Sequence, residues 1–101
     1  YYVVDWKTNA LSGGYAPEQL RASMDEHEYT LQFRIYALAL ALWLRQCLPD
    51  FSPERHLGGV YYLYVRGLSG TDAASGVFHQ PLDAAFLDLC RQDVLDRLAG
   101  R

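Results

Sequence analysis

Asp5 and Lys7 stand two residues apart in the run Tyr1-Tyr2-Val3-Val4-Asp5-Trp6-Lys7. Aromatic and β-branched residues make this run a strand. Period-two geometry then puts Val3, Asp5 and Lys7 on one face and Tyr2, Val4 and Trp6 on the other. A carboxylate and an ammonium aimed into one space can hold a hard divalent cation, position an attacking water and neutralise charge on a phosphate. The same pair is also an ordinary ion pair, and spacing alone does not separate the two. Gln32 and Tyr36, at i and i+4, stack on one face of a helix. An amide beside a phenol ring suits a nucleotide, through hydrogen bonding, stacking or phosphate contact; it equally describes a plain helix surface.

The elements that must position these groups are legible. Thr8 to Tyr15, with Asn9, Ser12, Gly13 and Gly14, reads as a loop. Ala16-Pro17-Glu18 opens a helix that runs to about Glu26, with Pro17 in its first turn. Glu28 to Cys47 is the strongest helical segment, dense in Leu and Ala and apolar all round at its centre, and Pro49 ends it. Phe51 to Arg55 reads as a connecting loop, and Leu57 to Arg66 as a second strand, apolar on both faces and therefore central and covered by helices. Gly67 to Gly76 is a loop, Val77-Phe78-His79 a short third strand. Pro81 opens a last helix with Leu82, Phe86, Leu89 and Leu98 near one stripe and Gly100 past its end. The order is α/β. With only two strong strands the sheet is marginal, its bare edge invites pairing, and self-association as a swapped homodimer is expected.

Bulk properties narrow the function classes. The chain has 101 residues, half of them hydrophobic, and reads as a single unit over 1–101 with a real core. A net charge of -3 gives no global pull toward nucleic acid, so any contact with DNA must be local. Cys47 and Cys90 stand far apart in apolar helical stretches and read as buried free thiols, which suits a reducing cytoplasm. The longest apolar run, Ile35 to Leu44, is ten residues and too short to span a bilayer. No signal peptide is visible, and the opening inside a strand reads as a piece of a longer protein. Six other residues have ordinary explanations: His27 and Glu28 as a solvated helix junction, His56 and His79 as surface or loop residues, Arg55 and Arg66 as surface charge. Tyr61, Tyr62 and Tyr64 alternate along the second strand, so at least one face of the set is buried and reads as core packing.

Taken together the blocks say more than each alone. An apolar strand ending D-W-K, a loop and helix, then Q-x-x-x-Y at the head of an apolar helix resembles the RecB-like branch of the PD-(D/E)xK nuclease superfamily. Y-Y-V-V-D-W-K-T-N, L-Q-F-R-I-Y-A-L-A-L and P-E-R-H-L-G-G-V-Y-Y-L-Y-V-R-G carry that likeness from Tyr1 to about Leu89. The resemblance implies a partial restriction-endonuclease-like core, with central strands flanked by helices, from the C-terminal part of such a nuclease domain. It implies an exodeoxyribonuclease V-type enzyme that hydrolyses DNA phosphodiester bonds during double-strand break repair and DNA degradation. Asp5 would be a Mg²⁺ ligand, the Trp6 backbone carbonyl would face the metal, and Lys7 would be the catalytic lysine. Gln32 and Tyr36 would hold DNA or shape the site. The family also needs an acidic residue in a G-x-x-D context and a His or Glu before it, and neither falls within 1–101, so the chain alone is expected to bind metal weakly and cut poorly. RecC- and RecD-like subunits are the implied partners. The competing expectation is a non-catalytic docking or regulatory module that binds DNA or a partner subunit.

Overall fold

The computed structural model describes residues 1–100. Its elements are β1 (Tyr2–Lys7), α1 (Pro17–Glu26), α2 (Tyr29–Cys47), α3 (Pro53–His56), β2 (Gly59–Tyr64), β3 (Val77–Gln80) and α4 (Ala84–Ala99), with a 3-10 turn at Val65–Gly67. The strands form one mixed sheet in the order β1-β2-β3. β1 runs parallel to β2, with Asp5 opposite Tyr62 and Lys7 opposite Tyr64, and β3 returns antiparallel. The α/β expectation holds. The parallel pair needs a long crossover, which α1, α2 and α3 supply.

Local chemistry explains the boundaries. Pro17 occupies the first turn of α1, where a missing N–H costs nothing. Asp83 caps α4, its carboxylate accepting from the Phe86 amide at 2.8 Å. Pro53 nucleates the short α3 inside the stretch expected to be a loop. Gly76 has φ +77, and a Cβ there would lie 2.7 Å from the Tyr64 carbonyl oxygen, so only glycine lets the chain enter β3 beside β2.

Val60, Tyr62 and Tyr64 of β2 meet Leu20 and Met24 of α1, Phe33, Ala37 and Leu44 of α2, and Leu87 of α4 in one core. The Val, Leu, Met and Phe side chains among them each contribute about 1.5–3 kcal/mol when fully buried. Phe33 sits at the centre, its ring 5.6 Å from Phe78, 6.1 Å from Tyr62 and 6.2 Å from Phe86. Among the described residues the helices pack on one face of the sheet. The other face carries Tyr2, Val4 and Trp6 in the open, so the central strands are flanked on one side and not on both.

Three expectations need correction. Strand β2 stops at Tyr64, because the chain tightens into the 3-10 turn at Val65–Gly67. In α4 the buried residues are Leu87 and Cys90, whereas Leu89 is 51% and Leu98 64% exposed. The stripe is rotated because the Asp83 cap starts the helix after Leu82, and Asp93 is drawn to Arg34 of α2 at 3.0 Å. Cys47 is exposed at the last turn of α2, and only Cys90 is buried. Burial raises the Cys90 thiol to about 11, keeping it protonated.

Candidate active site

Strand β1 presents Asp5 and Lys7 on its helix-facing side and Trp6 on the other, as the pleat requires. The Lys7 ammonium lies 3.5 Å from Asp5 Oδ1, and both side chains are largely shielded, at 14% and 25% exposed respectively. Helix α2 crosses above them with Gln32 inward, and Lys7 Nζ donates to Gln32 Oε1 at 3.4 Å. Sequence reasoning paired Asp5 with Lys7 and Gln32 with Tyr36 and expected all four to converge; the fold brings Asp5, Lys7 and Gln32 together. Tyr36, one turn further along α2, is 44% exposed and stands outside these contacts.

Two further residues complete the arrangement. Lys7 Nζ sits over the Tyr29 ring, 4.0 Å from its centroid, and 5.2 Å from the centroid of Tyr62. Cation–π contacts of this kind are worth about 0.5–2 kcal/mol, rising as water is excluded. The Tyr62 hydroxyl donates to Gln32 Oε1 at 2.5 Å, so one oxygen accepts from both the phenol and the ammonium. Burial first, then the charge of Asp5, push the Tyr62 phenol well above its ordinary range, which keeps it a donor. Tyr29 is itself tethered: its hydroxyl and the Asn9 side chain exchange hydrogen bonds at 3.2 and 3.4 Å, and His27 stacks beside it at 5.2 Å.

Lys7 is the single lysine in the sequence, the other basic residues being arginine or histidine. An ammonium differs from a guanidinium in being a compact charge with rotatable donors, and the fold surrounds this one with acceptors and ring faces. The donors available to a divalent cation are fewer. Asp5 supplies a carboxylate here, and among the described residues no group of three His, Cys, Asp or Glu could hold a metal ion. A hard cation takes six or more oxygens. One carboxylate does not close such a shell.

Comparison with known proteins assigns the family. No protein-family profile matches the chain. The RecBCD enzyme subunit RecB of Escherichia coli is 36% identical over 92 residues, which is 88% of this chain. The RecB subunit of Haemophilus influenzae is 40% identical over 82 residues, 78% of the chain, and that of Mycobacterium tuberculosis 39% over 106 residues, 96% of the chain. The chain belongs to the RecB family. It spans 8%, 7% and 10% of the length of these three relatives.

Within this RecB-family segment the remaining polar groups are ordinary. His27 and Glu28 are exposed at the α1–α2 junction, where Glu28 adopts φ 57. Arg55 pairs with Asp50 at the surface, and Arg66 Nε donates to the Thr8 carbonyl. His79 stacks on Tyr61 on the open face of the sheet. Tyr62 packs in the core as expected, yet its hydroxyl reaches the site, a dual role that no local pattern announces. Tyr29 did leave a trace: with Gln32 and Tyr36 it falls at i, i+3 and i+7, one stripe of α2.

Proposed function

We propose that this chain forms part of the cutting site of a PD-(D/E)xK nuclease domain within a RecBCD-type helicase–nuclease that degrades DNA and acts in double-strand break repair. The observation supporting it is the cluster of Asp5, Lys7 and Gln32 on one side of β1, with Lys7 Nζ 3.5 Å from Asp5 and 3.4 Å from Gln32, in a RecB-family sequence. Lys7 presents its ammonium where negative charge grows on a phosphate during hydrolysis and donates hydrogen bonds there. Asp5 holds Lys7 in place. Gln32 and Tyr36 line the approach for a DNA strand.

Mg²⁺ would be held by the Asp5 carboxylate and the Trp6 carbonyl, and would polarise the phosphate and acidify a bound water. The rest of its ligands must come from outside residues 1–101. DNA is the substrate in this reading, with RecC- and RecD-like subunits as partners and the cytoplasm as the compartment. Among the described residues no helix is long and apolar enough to cross a membrane.

The test compares a full-length RecB-family subunit carrying this segment, assembled with its partners, against its Asp5→Ala and Lys7→Ala variants. Mg²⁺-dependent DNA degradation is expected to fall by on the order of 100-fold or more in both, with DNA binding retained. Undiminished degradation by Lys7→Ala overturns the assignment. Robust degradation by the 101-residue chain alone, lost in Asp5→Ala, overturns the claim that the site is partial.

One observation favours a docking module as the second reading. The outer face of α2 exposes Ile35, Leu42 and Trp43, an apolar surface of the kind that partner chains cover. Retained cutting in Asp5→Ala with lost subunit assembly in Trp43→Ser selects it.

A further inference from the structure

An ammonium on a four-carbon stem is mobile unless something holds it. Lys7 is held from four directions. Asp5 and Gln32 offer oxygens at 3.5 and 3.4 Å, and the rings of Tyr29 and Tyr62 lie 4.0 and 5.2 Å below. The two rings are packed against each other at 5.8 Å. Neither ring is loosely placed: Tyr62 is fully buried, and Tyr29 is tied by its hydroxyl to Asn9, two residues beyond Lys7 on the loop leaving β1. The clamp therefore joins α2, β2 and the end of β1.

The clamp also sets the orientation of Gln32. An ammonium only donates, so the amide atom facing it must be the carbonyl oxygen. The protonated Tyr62 hydroxyl donates to that same oxygen. Both acceptor positions of Oε1 are then used, and the amide NH₂ is turned away from Lys7, with two donors left for an oxygen-rich ligand.

We propose that Tyr29 and Tyr62 are positioning residues that fix the Lys7 ammonium, and that Tyr62 in addition locks the Gln32 amide with its NH₂ toward the phosphates of a bound strand. The functional half of this statement rests on the nuclease reading above; the structural half does not. Tyr29 and Tyr62 act through Lys7 and Gln32 and need not touch DNA.

Because Lys7 is the single lysine, ¹³C,¹⁵N-lysine labelling of the 101-residue chain gives one side-chain signal set. Held over a ring face, its ε-methylene protons are expected upfield of free lysine. Tyr29→Phe keeps the ring, loses the Asn9 tether and retains most of that shift, and Tyr29→Leu loses most of it while the backbone spectrum elsewhere stays native. Free-lysine positions in the parent chain, or no change in Tyr29→Leu, overturn the clamp.

In the full-length subunit with its partners, Tyr29→Leu and Tyr62→Phe are expected to lower kcat about 10- to 100-fold, the scale of a misplacement near 1 Å, with KM for DNA nearly unchanged. Tyr29→Phe restores kcat. If Lys7→Ala abolishes cutting but Tyr29→Leu cuts normally, the positioning role fails and the nuclease reading stands. If Lys7→Ala cuts normally, the nuclease reading fails and takes the functional half with it, whatever the spectrum shows of the clamp.

Discussion

Tyr64 and Ser23 form a buried pair whose removal in parts and as a whole has a distinctive energetic pattern. The Tyr64 hydroxyl donates to Ser23 Oγ at 3.1 Å, and the two residues are 0% and 3% exposed. Tyr64 is two residues from Tyr62 on the same face of β2, so this bond ties the strand that carries the clamp to α1. Tyr64→Phe leaves the Ser23 hydroxyl without its partner, and Ser23→Ala does the same to the phenol. An unpaired buried hydroxyl costs about 1–3 kcal/mol. Ser23→Ala recovers about 0.5 kcal/mol because alanine is the better helix former, so it is expected to be the milder change. A loss near 2 kcal/mol lowers Tm by roughly 8–16 °C in a domain of about 100 residues. The double variant leaves nothing unpaired and should cost less than the sum, with a coupling of about 1–2 kcal/mol. Thermal melts by circular dichroism and urea midpoints at constant m measure all four species. Strict additivity, or single variants within about 0.5 kcal/mol of the parent, would refute the reasoning.

Other consequences are as direct. Burial alone would raise the Asp93 carboxyl, but hydrogen bonds from Arg34 at 3.0 Å and Arg97 at 3.2 Å outweigh it and hold it below its ordinary range. A carboxyl depressed on folding contributes stability above its unfolded pKa of about 3.9 and loses it as pH falls through the folded value. Urea midpoints should therefore decline below about pH 4, with a smaller decline in Asp93→Asn; identical acid limbs contradict the pairing. Gly76→Ala places a methyl 2.7 Å from the Tyr64 carbonyl oxygen at φ +77, and a loss of roughly 2–4 kcal/mol is expected, read by urea unfolding; a neutral result contradicts the local packing. Under native conditions a thiol reagent should titrate Cys47 and spare Cys90, and both should react in denaturant; equal native rates contradict the burial of Cys90. Strand β1 lies at the edge of the described sheet, so light scattering should show self-association that grows with concentration; a clean monomer throughout is the opposing result.

The shared face of Asp5 and Lys7 on β1 was readable because alternation is a property of a strand by itself, whatever surrounds it. The identity of α2 was equally local, since a nineteen-residue run dense in Leu and Ala needs no partner to declare itself. Rotation was not local. Leu89 and Leu98 fit an apolar stripe on paper, but the Asp83 cap and the Arg34–Asp93 pair turned α4 so that Leu87 and Cys90 went inward. Cys47 shows the same limit, because an apolar neighbourhood in sequence says nothing of which side of a helix meets the core.

From its residues alone, then, the chain specified its α/β character, its family likeness and the D-x-K and Q-x-x-x-Y groups. Only the tertiary structure decided that Tyr62, more than fifty positions beyond Lys7, meets it across a parallel register that sets Asp5 opposite Tyr62. Only the fold turned Tyr29 under the ammonium and left Tyr36 outside. The physical reason is one of range. Periodicity within an element is set by backbone geometry over a few residues, whereas register between strands and the rotation of a helix are set by packing and hydrogen bonds among residues that the sequence holds far apart.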